Sequence, residues 1–164
     1  MPIGRALQGR NIQNLNYTGC VKKYLENYMI QLLVVDDDDI NNFLLSHLLK
    51  KSIYPVQKES FTNPVEALSY IKKSISENKR IDLILLDINM PQMTGWDVLN
   101  ELREEGESII RNKRIYMLSS SVHATDIEQA NRYPEISGYI SKPITLDLLS
   151  ELFKEITESN EELS

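Results

Sequence analysis

Short apolar runs alternate with helix-period segments from Gln31 onward. Leu32–Val35 reads as a strand, and Ile40, Phe43, Leu44 and Leu48 then recur at helical spacing. Val56–Phe61 is a weaker, more polar strand. Asn63 followed by Pro64 marks a helix start, a side-chain cap and then a proline at the first helical position. Val65, Leu68, Ile71 and Ile75 form the expected inner stripe of that helix. Residues 82–87, "DLILLD", make the most apolar strand. Trp96, Leu99 and Leu102 mark the helix after it, with Trp96 part-buried behind a loop glycine and Gly106 as terminator. Residues 114–119, "RIYMLS", are a fourth strand. Thr125 and Glu128 have the spacing of a capping box, opening a fourth helix with Ile127 and Ala130 inward. Residues 138–141, "GYIS", give a short fifth strand. Leu149, Leu152, Phe153 and Ile156 fall at i, i+3, i+4 and i+7 on a last helix.

Five alternations of strand and helix imply an α/β fold, a parallel sheet with helices on both faces. Strands buried on both sides read as continuous apolar runs, as the first, third and fourth do. The second carries Lys58 and Glu59 after Pro55, which suits an edge. A doubly wound five-stranded order of 2-1-3-4-5 puts it there.

The chain has 164 residues, enough for one domain with a full core, and its 41% hydrophobic and 26% charged content is ordinary for a globular protein. Residues 30–157 form the expected domain and residues 158–164 an acidic tail that frays. Residues 1–29 differ: they are polar, mildly basic, and carry only a weak helical pattern of Val21, Tyr24, Leu25 and Tyr28. A disordered tail, a short helix lying on the domain, and an upstream extension with its functional start at Met29 all fit. The first 30 residues contribute a charge of +3 to a total of −6, so the remainder is strongly acidic and a poor nucleic-acid binder. Cys20 is the only cysteine, which excludes an intramolecular disulfide or a cysteine metal cluster. No apolar run approaches a membrane span, and no secretory signal core is present. A cytoplasmic protein is expected, with no nucleic-acid or membrane partner.

In such sheets ligands bind beyond the carboxyl ends of the strands. The first strand is followed by Asp36 and Asp37, the third delivers Asp87, the fourth Ser119, and the fifth is followed by Lys142. All should converge on one edge. Three carboxylates and one ammonium need a further cation, and oxygen-only ligands favour Mg²⁺ or Mn²⁺ over zinc. A carboxylate in that setting can act as a nucleophile toward phosphorus. Lys142 and the metal would then neutralise the phosphoryl oxygens, and the Ser119 hydroxyl would donate to one.

The residues that carry this chemistry also carry a family likeness. "VVDDDD", "LLDINMPQMTGWD" (residues 85–97), "MLSSS" (117–121) and "GYISKP" (138–143) stand in order at successive strand ends. The domain resembles the receiver domain of two-component response regulators, of the flavodoxin-like fold. It is most similar to the stand-alone type typified by the chemotaxis response regulator. The resemblance covers residues 31–157. It implies a phosphorelay switch, not an enzyme, in which a sensor histidine kinase or a histidine phosphotransfer protein supplies the phosphoryl group. By the same resemblance Asp36 and Asp37 hold the metal, and Asp87 is both phosphoacceptor and ligand. Asn89 offers its backbone carbonyl to the metal, Ser119 is the switch hydroxyl, and Lys142 contacts the phosphoryl group. Pro143 follows a cis bond, and Tyr139 is the aromatic switch residue. Thr94 replaces the family's commoner Asp. Output would be protein contact through the fourth helix, fifth strand and fifth helix, since no output domain follows Ile156. Asn89 and Ser121 occupy the positions that tune hydrolysis, and the short Ser121 implies slow phosphate loss.

Two other functions compete with this one. Haloacid dehalogenase-type phosphatases use an Asp-x-Asp after the first strand, which Asp36 and Asp38 satisfy, with Asp36 as nucleophile. Ile40 stands where their usual Thr or Val would be, no acidic motif follows the lysine, and Asp87 is left unexplained. A pseudo-receiver that only binds partners is the second, and the complete set of pocket residues argues against it. Asp39, and Asp38 beside it, also suit the first turn of a helix. His47 and His123 are expected to be surface residues.

Overall fold

Leu83–Asp87 (β3), apolar along its length, lies at the centre of a five-stranded sheet and is buried throughout. Ile30–Val35 (β1) and Arg114–Ser119 (β4) flank it. Val56–Phe61 (β2) and Gly138–Ser141 (β5) form the edges, in the order β2-β1-β3-β4-β5, and every pair is parallel. The polar second strand is therefore an edge, and the three apolar ones are interior. This is a computed structural model, and it describes residues 28–106, 113–120, 128–129 and 132–161.

Four helices are complete among the described residues: α1 (Asp39–Leu49), α2 (Pro64–Ser76), α3 (Gly95–Glu104) and α4 (Leu146–Glu161). Leu45 of α1 and Leu149, Leu152, Phe153 and Ile156 of α4 pack on Ile30, Leu32, Val34, Leu83 and Leu85. Ala67, Leu68 and Ile71 of α2, with Leu99 and Leu102 of α3, pack on the opposite face against Leu33, Val35, Ile84 and Leu86. Successive strand residues point to opposite faces, which is why alternate residues of β1 and β3 divide between the two layers. The starts of α1 and α2 are capped by side chains: Asp38 accepts from the Ile40 and Asn41 N–H, Asn63 from the Val65 and Glu66 N–H. Thr94 and Asp97 cap α3 reciprocally. No helix among the described residues is long and apolar enough to cross a membrane.

The structure departs from the sequence pattern in four places. An apolar stripe on a helix ordinarily marks its buried face. On α1 the stripe faces outward: Ile40 and Phe43 are 69% and 71% exposed and Leu44 is 50% exposed, while Asn42 and Leu45 point inward. Asn42 goes in because the end of β1 needs its amide: it donates to the carbonyls of Asp36 (2.7 Å) and Asp38 (3.2 Å) and accepts from Ser60 (2.6 Å). Val65 of α2 is also exposed, and Ala67 and Ser74 are buried on that helix. Trp96 is buried, not part-buried, because Tyr133 stacks on it at 4.8 Å. Finally α4 runs on to Glu161, through the start of the expected tail, since Ser159 and Asn160 accept and donate bonds to Arg114 and Tyr28. The expected fourth helix falls largely outside the described residues. Glu128 and Gln129 are helical, whereas Thr125, Ile127 and Ala130 are not described, nor are Ser121 and His123. His47 is exposed in the last turn of α1.

Candidate functional site: an acidic pocket at the strand ends

Parallel strands all deliver their carboxyl ends to one edge of the sheet, and there β1, β3 and β5 hand over to Asp36, Asp87 and Lys142. Asp36 continues β1, its N–H donating to the Phe61 carbonyl at 3.1 Å, and its side chain is buried. Its Oδ1 accepts from the Asp38 N–H at 2.9 Å, and its Oδ2 from the Asn41 amide at 3.4 Å. Asp87 is the last residue of β3 and is also buried; its Oδ1 accepts from the Asn89 N–H at 3.1 Å. Asp37 is exposed beside them. Carboxylate oxygens of Asp36, Asp37 and Asp87 all lie within 4.8 Å of one another.

Lys142 answers the two buried carboxylates. Its Nζ lies 2.7 Å from Asp36 Oδ2 and 2.7 Å from Asp87 Oδ2. Its backbone N–H donates to the Ser119 carbonyl at 2.8 Å, which fixes it beside the end of β4. The Lys142–Pro143 peptide bond is cis. Burial pushes the Asp87 carboxyl above its ordinary range, and the bonds from Lys142 and the Asn89 N–H offset this only in part while Asp36 adds to it. Burial alone would lower the Lys142 ammonium; its hydrogen bonds and charge pairing with Asp36 and Asp87 outweigh that and raise it.

The loop after β3 folds back over the pocket floor. Ile88 donates to the Leu118 carbonyl, and Gly95 donates to the Ile88 carbonyl, each at 3.0 Å. A Cβ at Gly95 would stand 2.4 Å from the Asp87 carbonyl oxygen, so only glycine fits where α3 starts. Ser119 is fully buried at the end of β4, and Tyr139 pairs with Met117 one strand over. Tyr139 lies 6.1 Å from the Trp96 ring, which stacks in turn on Tyr133; the Arg103 guanidinium sits 4.3 Å over Tyr133 and pairs with Glu135.

The structure thus brings Asp36, Asp37, Asp87, Asn89, Ser119 and Lys142 to one sheet edge. Asp38 is not among the clustered carboxylates, because its side chain caps α1. Three features of this region escaped the sequence reading. Asn42 bolts α1 to the end of β1, and no local pattern distinguishes it from a surface Asn. The Thr94/Asp97 capping box was legible as Thr-x-x-Asp. Tyr133 is tied to its partners only by the fold. An all-oxygen cluster of two buried and one exposed carboxylate, with one ammonium, fits a hard divalent cation such as Mg²⁺ or Mn²⁺.

Comparison with known proteins agrees with this fold. A protein-family model, that of the response regulator receiver domain, matches residues 32–154. The chain is 28% identical over 123 residues to the polar-differentiation response regulator DivK of Brucella anthropi, covering 75% of this chain and 92% of DivK. It is 32% identical over 132 residues to the 3',5'-cyclic-nucleotide phosphodiesterase regA of Dictyostelium discoideum, covering 79% of this chain. It spans 16% of regA, 12% of the sensor histidine kinase RcsC and 9% of the sensor protein EvgS of Escherichia coli, and 7% of the hybrid signal transduction histidine kinase L of Dictyostelium discoideum. Among solved structures, a two component response regulator from Cytophaga hutchinsonii superimposes with a TM-score of 0.70 at 26% identity, covering 78% of this chain and 96% of that one.

Proposed function

Because the chain belongs to the response regulator receiver family and is a receiver domain of two-component signalling, we propose that Asp87 accepts a phosphoryl group from a phosphohistidine of a sensor histidine kinase or histidine phosphotransfer protein. The observation that carries this is Lys142 bridging Asp36 and Asp87 at 2.7 Å each, within a cluster of three carboxylates. In the reaction an Asp87 carboxylate oxygen attacks phosphorus, the P–N bond breaks, and the imidazole nitrogen keeps the electron pair. The Asn89 N–H and the Lys142 ammonium hold the Asp87 carboxylate for the attack. Asp36, Asp37 and Asp87, with the Asn89 carbonyl, would hold Mg²⁺ or Mn²⁺, which supplies charge neutralisation at the phosphoryl oxygens. Lys142 is free to transfer one of its ion pairs to the incoming group, and the Ser119 hydroxyl donates to another oxygen.

Ser119 then draws toward the phosphoryl group and Tyr139 follows, altering the face made by β5 and the helices beside it. This makes the protein a cytoplasmic signalling switch, with slow loss of phosphate as its only turnover. The dehalogenase-type reading is weakened, since Asp38 is engaged with the Ile40 and Asn41 N–H. Incubation with Mg²⁺ and acetyl phosphate, followed by intact mass, tests the proposal. One phosphoryl gain is expected in the wild type and none in Asp87→Ala. Continuous phosphate release that depends on Asp36 would favour the phosphatase.

A further inference from the structure

The outer face of α1 is an exposed apolar surface. Ile40, Phe43 and Leu44 occupy i, i+3 and i+4 there, each at least half exposed. Ile53, just past the end of that helix, and Met29, at the start of the described chain, are also about half exposed. Single exposed hydrophobics are ordinary, but a contiguous stripe on one helix marks a contact surface. Its rim is acidic, with Asp37, Asp38 and Asp39 all exposed at the start of the same helix.

The chain enters β1 beside the loop that follows α1. Tyr28 packs on the core layer that lies under α1 and α4. Its hydroxyl donates to Asp82 at 2.7 Å and accepts from Asn160 of α4 at 2.8 Å, and Arg80 stacks on its ring. The Ile30 N–H donates to the Pro55 carbonyl, which places the exit beside the loop that follows α1. The preceding residues have the matching chemistry. Val21, Tyr24 and Leu25 are apolar at helical spacing, and Arg5, Arg10, Lys22 and Lys23 stand against Glu26 alone. The 11 residues of α1 extend for about 16 Å, well within reach of a segment of this length. Tethering keeps it at about millimolar effective concentration, so even a weak contact is populated.

We propose that the segment preceding Tyr28 docks on the outer face of α1. Val21, Tyr24 and Leu25 lie against Ile40, Phe43 and Leu44, and the basic residues lie toward Asp38 and Asp39 of the rim. This contact holds whether or not Asp87 takes a phosphoryl group, and it would stand beside the pocket.

Two measurements on the full chain test it. In ¹⁵N-labelled protein, Tyr24→Glu/Leu25→Glu should shift the amide resonances of Ile40, Phe43 and Leu44 and leave those of α2 in place. Unmoved resonances overturn the proposal and leave the face to a separate partner. A nitroxide on Cys20, the only cysteine, should broaden the same three amides several-fold more than those of α2 when label and isotope share a chain. Broadening seen only when they are on different chains assigns the face to a second copy and also overturns the proposal.

Discussion

Asp37→Asn should stabilise the metal-free protein and remove most of the stabilisation that Mg²⁺ brings. Three carboxylates lie within 4.8 Å of one another, and one ammonium, Lys142, sits between two of them. At 4.8 Å a like-charge pair repels by about 0.9 kcal/mol in bulk water and about 3.5 kcal/mol at an effective dielectric of about 20. Asp37 meets two such repulsions, offset in part by the more distant Lys142. Its exposure places it near the aqueous limit, so neutralising it should gain about 1 kcal/mol. Asparagine keeps the shape and removes the charge. The assay is urea unfolding, which leaves ionic strength unchanged, in chelator at low salt and again with Mg²⁺. At about 100 times Kd the ion should stabilise the wild type by about 2.7 kcal/mol, and the order of the two proteins should invert. In about 1 M salt, where screening acts over about 3 Å, the metal-free difference should shrink. A variant no more stable than wild type in chelator would refute the reasoning. So would equal gains from Mg²⁺ in both proteins.

Gly95→Ala should cost about 1–3 kcal/mol and impair phosphoryl uptake, because its Cβ would press on the Asp87 carbonyl at 2.4 Å and on Met117 at 2.9 Å; urea unfolding within about 0.5 kcal/mol of wild type would contradict this. Phe153→Ala should cost about 3–5 kcal/mol by the same measurement, since that ring is fully buried and packs edge-on against Tyr54. Tyr28→Phe should cost about 1 kcal/mol at neutral pH through its lost bonds to Asp82 and Asn160. The Tyr28 phenol is pushed from 10.0 up to about 12 by burial and then by Asp82. A raised folded value gives stability that is complete below the unfolded one, so the gap between wild type and Tyr28→Phe should close as pH rises from 10.0 toward about 12. A gap that stays constant across that range would argue against the assignment.

The strand order was legible because strands covered on both faces cannot hide their apolar runs, and the edge strand β2 betrays itself through Lys58 and Glu59. The pocket was legible because a parallel sheet sends every strand end to one edge, so the residues that follow the strands become neighbours whatever their separation in sequence. Periodicity identified α1 as a helix but not which side faces the sheet. There the need to satisfy the Asp36 and Asp38 carbonyls drew Asn42 inward and left Ile40, Phe43 and Leu44 outside. Burial of Trp96 depends on Tyr133, and the persistence of α4 to Glu161 depends on Tyr28 and Arg114; none of these pairs is close in sequence.

Lys142 follows β5, the four-residue strand at the sheet's rim. Parts of a domain can open locally while the rest stays folded. When β5 detaches, Asp36 and Asp87 lose their shared ammonium in one event, although both remain anchored in the interior strands. The pocket therefore has an acidic floor on interior strands and a cationic wall on the sheet's rim. Exchange protection of the Lys142 amide, which donates to the Ser119 carbonyl, would report opening of that wall separately from unfolding of the domain.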